Sequence, residues 1–282
     1  KKLLKIMILN IKGDILDLSS PKIMGVLNVT PDSFYDGGVY SNDKNILLQV
    51  EKMISDGADI IDIGGFSSKP GAKTISVKEE EKRVIPIIKL INNTFNKIII
   101  SVDTFRSEIA EKSLNEGASI INDISGGDLD KNIYQIANKY RAPYIMMHMK
   151  GVPANMQANP KYENINYEII KDFSYKIDSA EKKGVCDIII DPGFGFGKSI
   201  EHNYQILNNI KLYTILKKPI LVGISRKSMI YKLLKTDPSK ALNGTTSLNT
   251  IALINGANIL RVHDVKEAKE VIKLYSFLKE NV

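Results

Sequence analysis

The chain has 282 residues, 43% hydrophobic and 25% charged, with a formal net charge of +7 and a single cysteine, Cys186. That length suits one α/β barrel, which takes about 250 residues, and the balance is that of a soluble globular domain. An internal disulfide is excluded, and no apolar run reaches the roughly 18 residues of a membrane helix. The lysines are interspersed with Glu and Asp rather than gathered into a basic block, so neither nucleic acid nor membrane is an expected partner, and a reducing cytoplasm is the expected location.

Residues 4–10 and 14–18 flank Lys12-Gly13 and read as a β-hairpin within the first 20 residues. Lys5, Lys12 and Asp14 interrupt the opening apolar run too early for a secretory leader. Eight short apolar, β-branched runs follow, at 23–29, 60–63, 98–102, 119–122, 144–147, 188–190, 220–222 and 259–262. Longer amphipathic stretches separate them. In 78–92, for example, Val84, Ile85, Ile87, Ile88 and Ile91 share one side. Gly57, Gly117, Gly184 and Gly256 each stand just before a strand, where a left-handed helix cap belongs. Eight nearly continuous apolar strands alternating with helices predict an α/β protein, a (β/α)8 TIM barrel forming one domain over 1–282, with the hairpin covering the barrel bottom. A doubly wound open sheet would carry a Gly-rich nucleotide turn after its first strand, and none is present.

In such a barrel the active site lies at the C-terminal strand ends. Here those ends carry Asn28 and Asp32, Asp62, Asp103, Asn122 and Asp123, His148, Asp191, Gly223 with Ser225-Arg226-Lys227-Ser228, and Arg261 with His263. One carboxylate at a strand end is as readily a cap for the next helix as a site residue. A whole ring of converging polar groups needs a polar ligand, because buried unpaired groups are costly. Its carboxylates and amide suit a donor-rich heterocycle, and Lys227, Arg261 and His263 suit an anion.

Two loops are rich in glycine, 64–71 and 191–198. The second ends Gly-Lys-Ser, but Pro192 occupies a position where a P-loop needs glycine. The remaining reading is a backbone passing close to a flat ligand, with Phe194 or Phe196 available to stack on it. His148 and His202 lack metal-ligand spacing. Met146, Met147 and Met149 read as core or pocket wall, and Cys186 has no adjacent base.

The segments Leu27-Asn28-Val29-Thr30-Pro31-Asp32-Ser33-Phe34, Gly57-Ala58-Asp59-Ile60-Ile61-Asp62-Ile63-Gly64-Gly65, Ser101-Val102-Asp103-Thr104, Ile121-Asn122-Asp123, Met147-His148-Met149, Asp191-Pro192-Gly193-Phe194-Gly195-Phe196-Gly197-Lys198, Gly223-Ile224-Ser225-Arg226-Lys227-Ser228 and Arg261-Val262-His263-Asp264 occur in an order that resembles the dihydropteroate synthases. The resemblance runs from about residue 21 to the C-terminus. It departs from the common family pattern in the second loop, where Phe66 stands for a Glu, Ser68 for a Thr and Lys69 for an Arg.

The resemblance implies a transferase that condenses hydroxymethyl-dihydropterin pyrophosphate with p-aminobenzoate in folate biosynthesis, by dissociative substitution through a pterin-stabilised cation. By position, Asp103, Asn122, Asp191 and Lys227 would pair with the pterin edge, with Asp62, Met147, Phe196 and Gly223 around it. Asn28, Arg261 and His263 would hold the pyrophosphate, with Mg2+ on Asn28. Ser228 and the backbone beside it would meet the p-aminobenzoate carboxylate, with Lys69 assisting and Ser68 also among the substrate-binding residues, and the loops 31–38 and 66–73 would close over the second substrate. Catalysis would rest on Lys227, Arg261, His263 and Asn28. The resemblance also implies a homodimer and a target of sulfonamides. The rival readings are another pterin-binding barrel, such as a methyltetrahydrofolate methyltransferase, and a non-catalytic pterin-binding paralogue.

Overall fold

The computed structural model describes residues 7–29, 39–66, 75–151, 156 and 160–281. The chain opens with an antiparallel hairpin, β1 (Ile8–Ile11) and β2 (Asp14–Asp17). Lys12 and Gly13 at its turn both have positive φ, 53° and 101°. This is the backbone hand that matches the twist of a two-residue hairpin.

Eight strands follow: β3 (Lys22–Asn28), β4 (Ile60–Gly64), β5 (Ile99–Asp103), β6 (Ile120–Asp123), β7 (Tyr144–Met147), β8 (Ile188–Asp191), β9 (Leu221–Val222) and β10 (Ile259–Val262). They form one parallel sheet in the order β8-β7-β6-β5-β4-β3-β10-β9. Its two edges meet through a parallel bridge between Ile190 and Ile220, and Ile190 N–H donates to Pro219 O at 2.9 Å. The sheet therefore closes into the expected barrel. Around it lie α1 (Val39–Ser55), α2 (Val77–Thr94), α3 (Ser107–Asn115), α4 (Ile133–Tyr140), α5 (Ile165–Lys182), α6 (Ile200–Asn208), α7 (Ser228–Tyr231), α8 (Leu242–Ile254) and α9 (Val265–Glu280). Gly57, Gly117, Gly184 and Gly256 all adopt positive φ ahead of their strands, as the sequence predicts. Among the described residues no helix is long and apolar enough to cross a membrane.

The two-residue period of the strands divides the apolar side chains into two cores. One set, including Ile61, Ile63, Val102, Ile121, Met146, Ile190 and Val262, packs outward against the helices. The other set is Met24, Ile60, Ile120, Ile145, Ile189, Leu221 and Ile259, one from each of seven strands, and these meet Leu9, Ile11 and Leu18 of the hairpin region. That second cluster is the floor of the barrel lumen. The hairpin lies beneath it, held by Asn10 N–H on Asp187 Oδ2 (2.9 Å) and by Lys12 Nζ on Gly117 O (2.8 Å).

Candidate active site

Two residues above the apolar floor, the same period places Asp62, Ser101, Asn122, Met147, Asp191 and Arg261 on the lumen side, with Asp103 two further along β5. The contacts agree. Arg261 donates from Nε to Asp62 Oδ2 at 2.7 Å and from Nη2 to Asp103 Oδ2 at 2.8 Å. Asn122 Nδ2 donates to the same Asp62 oxygen at 2.9 Å. Asp62 has no exposed surface, and its other oxygen, Oδ1, lies buried without a hydrogen-bond partner among the described residues, as does Ser101 Oγ on the paired position of β5. A ligand rich in N–H donors would satisfy such a carboxylate.

Opposite stands the loop after β8. Asp191 is buried and accepts Gly193 N–H at 2.8 Å. Lys227 Nζ donates to Phe194 O and lies 4.9 Å from the centroid of the half-buried Phe196 ring. Gly223 completes the arc, since a Cβ there would sit 3.7 Å from Arg261 Cβ and 4.0 Å from Lys227 Nζ. Ser228 opens α7, and Met147 is buried at the end of β7. At the rim Asn28 is exposed at the end of β3, which pairs with β10. His263 follows β10, with its backbone N–H 3.2 Å and its Nδ1 3.0 Å from Ser225 Oγ.

Burial and mutual charge set the electrostatics of this mouth. Burial pushes Asp103 up to about 7; Arg261 opposes that rise and Asp62 adds to it. Burial also raises Asp191, against the pull of Lys227. The Lys227 ammonium is driven down to about 8 by burial, with Asp191 opposing. Burial would lower Arg261, yet Asp62 and Asp103 outweigh it and hold the guanidinium above its ordinary value. The protein around the His263 ring, together with Arg261, pushes that imidazole down to about 4. At neutral pH the mouth therefore offers a carboxyl poised to gain or lose a proton at Asp103, a fixed guanidinium at Arg261 and a neutral imidazole at His263, beside the Asp191 carboxyl that burial raises.

The expected residues do not all converge. Ser68, Lys69 and the loop 31–38 lie outside the described residues. Asp123, one residue beyond Asn122, falls on the opposite face of its strand. It is saturated by Ser125 N–H and Oγ, Gly127 N–H and the Tyr144 hydroxyl, which makes it a loop anchor. Phe194 has no exposed surface and belongs to the outer core, so only Phe196 can meet a ligand. The expectation that glycines in 191–198 make room for a ligand also needs correction at two positions. A Cβ on Gly193 would lie 2.0 Å from His148 O, and one on Gly197 2.3 Å from Lys150 O. These glycines let the β8 loop press against the loop after β7.

Sequence reasoning missed the cross-links that hold the site. Arg226 has positive φ and grips Asp264 through Nε (2.9 Å) and Nη2 (2.5 Å), so the Lys227 loop is tied to the His263 loop. Arg106 and Thr104 converge on Glu80, only 1% exposed, and Arg106 also donates to Ile75 O (2.6 Å). The signal for Glu80 was faint: a lone acid on the otherwise apolar face of α2.

Comparison with known proteins agrees with the geometry. Residues 24–263 match the family described as pterin binding enzyme. The chain is 43% identical over 265 residues to the dihydropteroate synthase of Escherichia coli K12, covering 93% of each, and 41% identical to that of Haemophilus influenzae, covering 92% of this chain and 94% of the relative. Among solved structures, the Yersinia pestis dihydropteroate synthase in a sulfonamide drug complex superposes with a TM-score of 0.91 at 40% identity, covering 97% of this chain and all of that one. The Xanthomonas albilineans dihydropteroate synthase with 4-aminobenzoic acid gives 0.90 at 34% identity, covering 97% and 98%.

Proposed function

The chain belongs to the dihydropteroate synthase family of pterin-binding enzymes, and on that premise we propose that it joins hydroxymethyl-dihydropterin pyrophosphate to p-aminobenzoate, releasing pyrophosphate, in folate biosynthesis. The observation that carries the reading is the convergence of Asp62, Asp103, Asn122, Asp191, Lys227 and Arg261 on one mouth above a sealed apolar floor. Asp191 accepts from the amino and ring N–H edge of the pterin, and Lys227 donates to its acceptor atoms. Asp103 and Asn122 complete the ring's hydrogen bonds. The C–O bond to pyrophosphate breaks with its electron pair leaving on oxygen, and the pterin delocalises the resulting cation. The lone pair of the aromatic amine then forms the C–N bond, and the amine loses a proton. The protein neutralises the leaving group and holds the amine in line. Arg261 and the His263 imidazole receive the pyrophosphate, and Ser228, with Ser68 and Lys69, meets the carboxylate of the amine.

Mg2+ fits this arrangement only as a shared ion. Among the described residues no three His, Cys, Asp or Glu side chains gather to hold a metal. Asn28 is an exposed, hard oxygen donor at the pyrophosphate end of the mouth, which suits an ion that keeps several waters and takes its other ligands from phosphate. When bound it would supply charge neutralisation of the leaving group. The single Cys186 is exposed and unpaired, which favours a reducing cytoplasm. Sulfonamides would compete with p-aminobenzoate for the same place. The deciding experiment is turnover with both substrates, read as pyrophosphate released per dihydropteroate formed. Equal release is expected; pterin binding without pyrophosphate release would leave the non-catalytic reading.

A further inference from the structure

Lys198 closes the loop after β8 and is only 3% exposed. It donates to Phe196 O at 2.9 Å and to His148 O at 3.1 Å, and its Nζ lies 3.0 Å from His148 Nδ1. His148 is itself buried at the end of β7, and its backbone N–H extends the β7–β8 ladder by donating to Asp191 O at 2.9 Å. Gly193 and Gly197 lie hard against the backbone of residues 148 and 150, and Tyr162 donates to Gly197 O at 2.9 Å. A buried amine with three neighbouring polar atoms is an expensive feature to keep in a core. Among the described residues its contacts are the backbone oxygens of Phe196 and His148 and the His148 ring, not the carboxylate, amide, ammonium or guanidinium groups that line the mouth, so it acts on the site through the loop it holds.

What Lys198 touches is the segment that carries the site. The same loop presents the Asp191 carboxylate, the Phe194 carbonyl on which Lys227 Nζ rests and the Phe196 ring beneath that ammonium. We propose that Lys198 is a positioning residue for the pterin half of the reaction, clasping the β8 loop to the end of β7 and so fixing the height at which Asp191 and Lys227 meet the ring. The proposal rests on the pterin reading of the mouth. The charges facing Lys198 are Asp191 and Lys227 on the site side and Asp172 and Lys176 of α5 on the other, with the His148 ring beside it. Burial drives its ammonium well below the ordinary lysine value. Where it carries its proton it lowers the Asp191 carboxyl, as Lys227, Gly193 N–H and Arg261 do.

The test uses the full chain and 6-hydroxymethylpterin, a pterin with no leaving group. The wild type is first shown to turn over both substrates; its failure to do so would sink the functional reading, not this one. Lys198→Met keeps an unbranched apolar stem without the terminal amine and its hydrogen bonds. Its expected pterin affinity is about tenfold weaker, near 1.4 kcal/mol, with KM for p-aminobenzoate within twofold. Its loss of pterin binding on acidification should also begin at higher pH, because Asp191 loses a cationic neighbour, a shift that mere loosening of the fold would not produce. Unchanged pterin affinity together with an unmoved acid limb overturns the proposal. Should Lys198→Met fail to fold, the His148 pair decides. His148→Gln keeps an acceptor for the amine and should bind pterin as the wild type does, whereas His148→Leu should lose about tenfold. Equal pterin affinity in those two variants also overturns it.

Discussion

Asp62 and Asp123 show how little the residue type says by itself. Both are wholly buried carboxylates at barrel strand ends. Asp123 is saturated by four donors from its own loop and from Tyr144, while Asp62 holds Arg261 and Asn122 on one oxygen and leaves the other unpartnered among the described residues. The difference is one step of strand parity, and parity is legible in sequence once the floor residues are known. Asp191 permits a clean residue-level test. In Asp191→Asn the amide oxygen can still accept Gly193 N–H, so the loop should stand, but a donor replaces half of the acceptor edge. Calorimetry should show pterin binding weakened by at least about tenfold; equal affinity would remove Asp191 from the pterin site. Lys227 adds a pH signature. Its ammonium, lowered to about 8 by burial with Asp191 and Asp103 opposing and Arg261 assisting, is charged below that pH and neutral above it. A charge-assisted contact to the pterin should therefore be strongest below about pH 8 and fade above it. Lys227→Met should weaken binding by roughly 1.5–3 kcal/mol and flatten the alkaline limb of a pterin-affinity profile. A limb that persists in the variant would assign it to another group.

At the scale of elements, the eight strands and their order were legible because a parallel strand buried on both faces is apolar almost without interruption. β9 is the exception, reduced to Leu221–Val222 with Ile220 joining only by a bridge. The preceding Pro219 has no N–H to give a ladder. The purpose of the glycine-rich loop was not legible. A glycine admits close approach by anything, and only coordinates show that at Gly193 and Gly197 the neighbour is the β7 loop rather than a ligand. Links such as Arg226–Asp264 and Lys198–His148 join residues 38 and 50 positions apart and leave no periodic trace. Gly193→Ala should reveal the packing role. Its φ of 72° already disfavours a side chain, at about 1–3 kcal/mol, and its Cβ would collide with His148 O at 2.0 Å. Gly195 shares the positive φ, at 82°, but among the described residues its Cβ would meet Lys227 Cδ alone, in ordinary contact at 3.5 Å. Gly193→Ala should therefore melt well below Gly195→Ala; matching melting temperatures would mean the loops can separate at little cost.

Across the whole molecule, the hairpin closes one end of the lumen and the polar mouth occupies the other. The converging polar side chains lie at the C-terminal strand ends, away from the outer faces of the helices. Among the described residues, α8 and α9 are two of the helices that keep apolar side chains the barrel does not bury. On α9, Val271 and Ile272 face the core, but Leu274, Phe277 and Leu278 are 73%, 69% and 57% exposed. The packed neighbour α8 exposes Ile251 and Ile254 at its own C-terminal end. The spacing i, i+3, i+4 on α9 gathers its three residues into one stripe, and an apolar area of this kind on a monomer is uncommon unless something covers it. A second copy of the chain is the occupant that the family resemblance implies, and a two-fold interface needs only that one patch on each subunit. The double variant Leu274→Glu/Phe277→Glu places charge in the centre of the stripe without touching the barrel core or the mouth. Light scattering should give twice the chain mass for the wild type and a single chain mass for the variant. Pterin affinity should be retained, because Asp191, Lys227 and Arg261 all come from one chain. A variant that remains dimeric would move the interface to another face, and a wild type that is monomeric at micromolar concentration would leave the stripe without this partner.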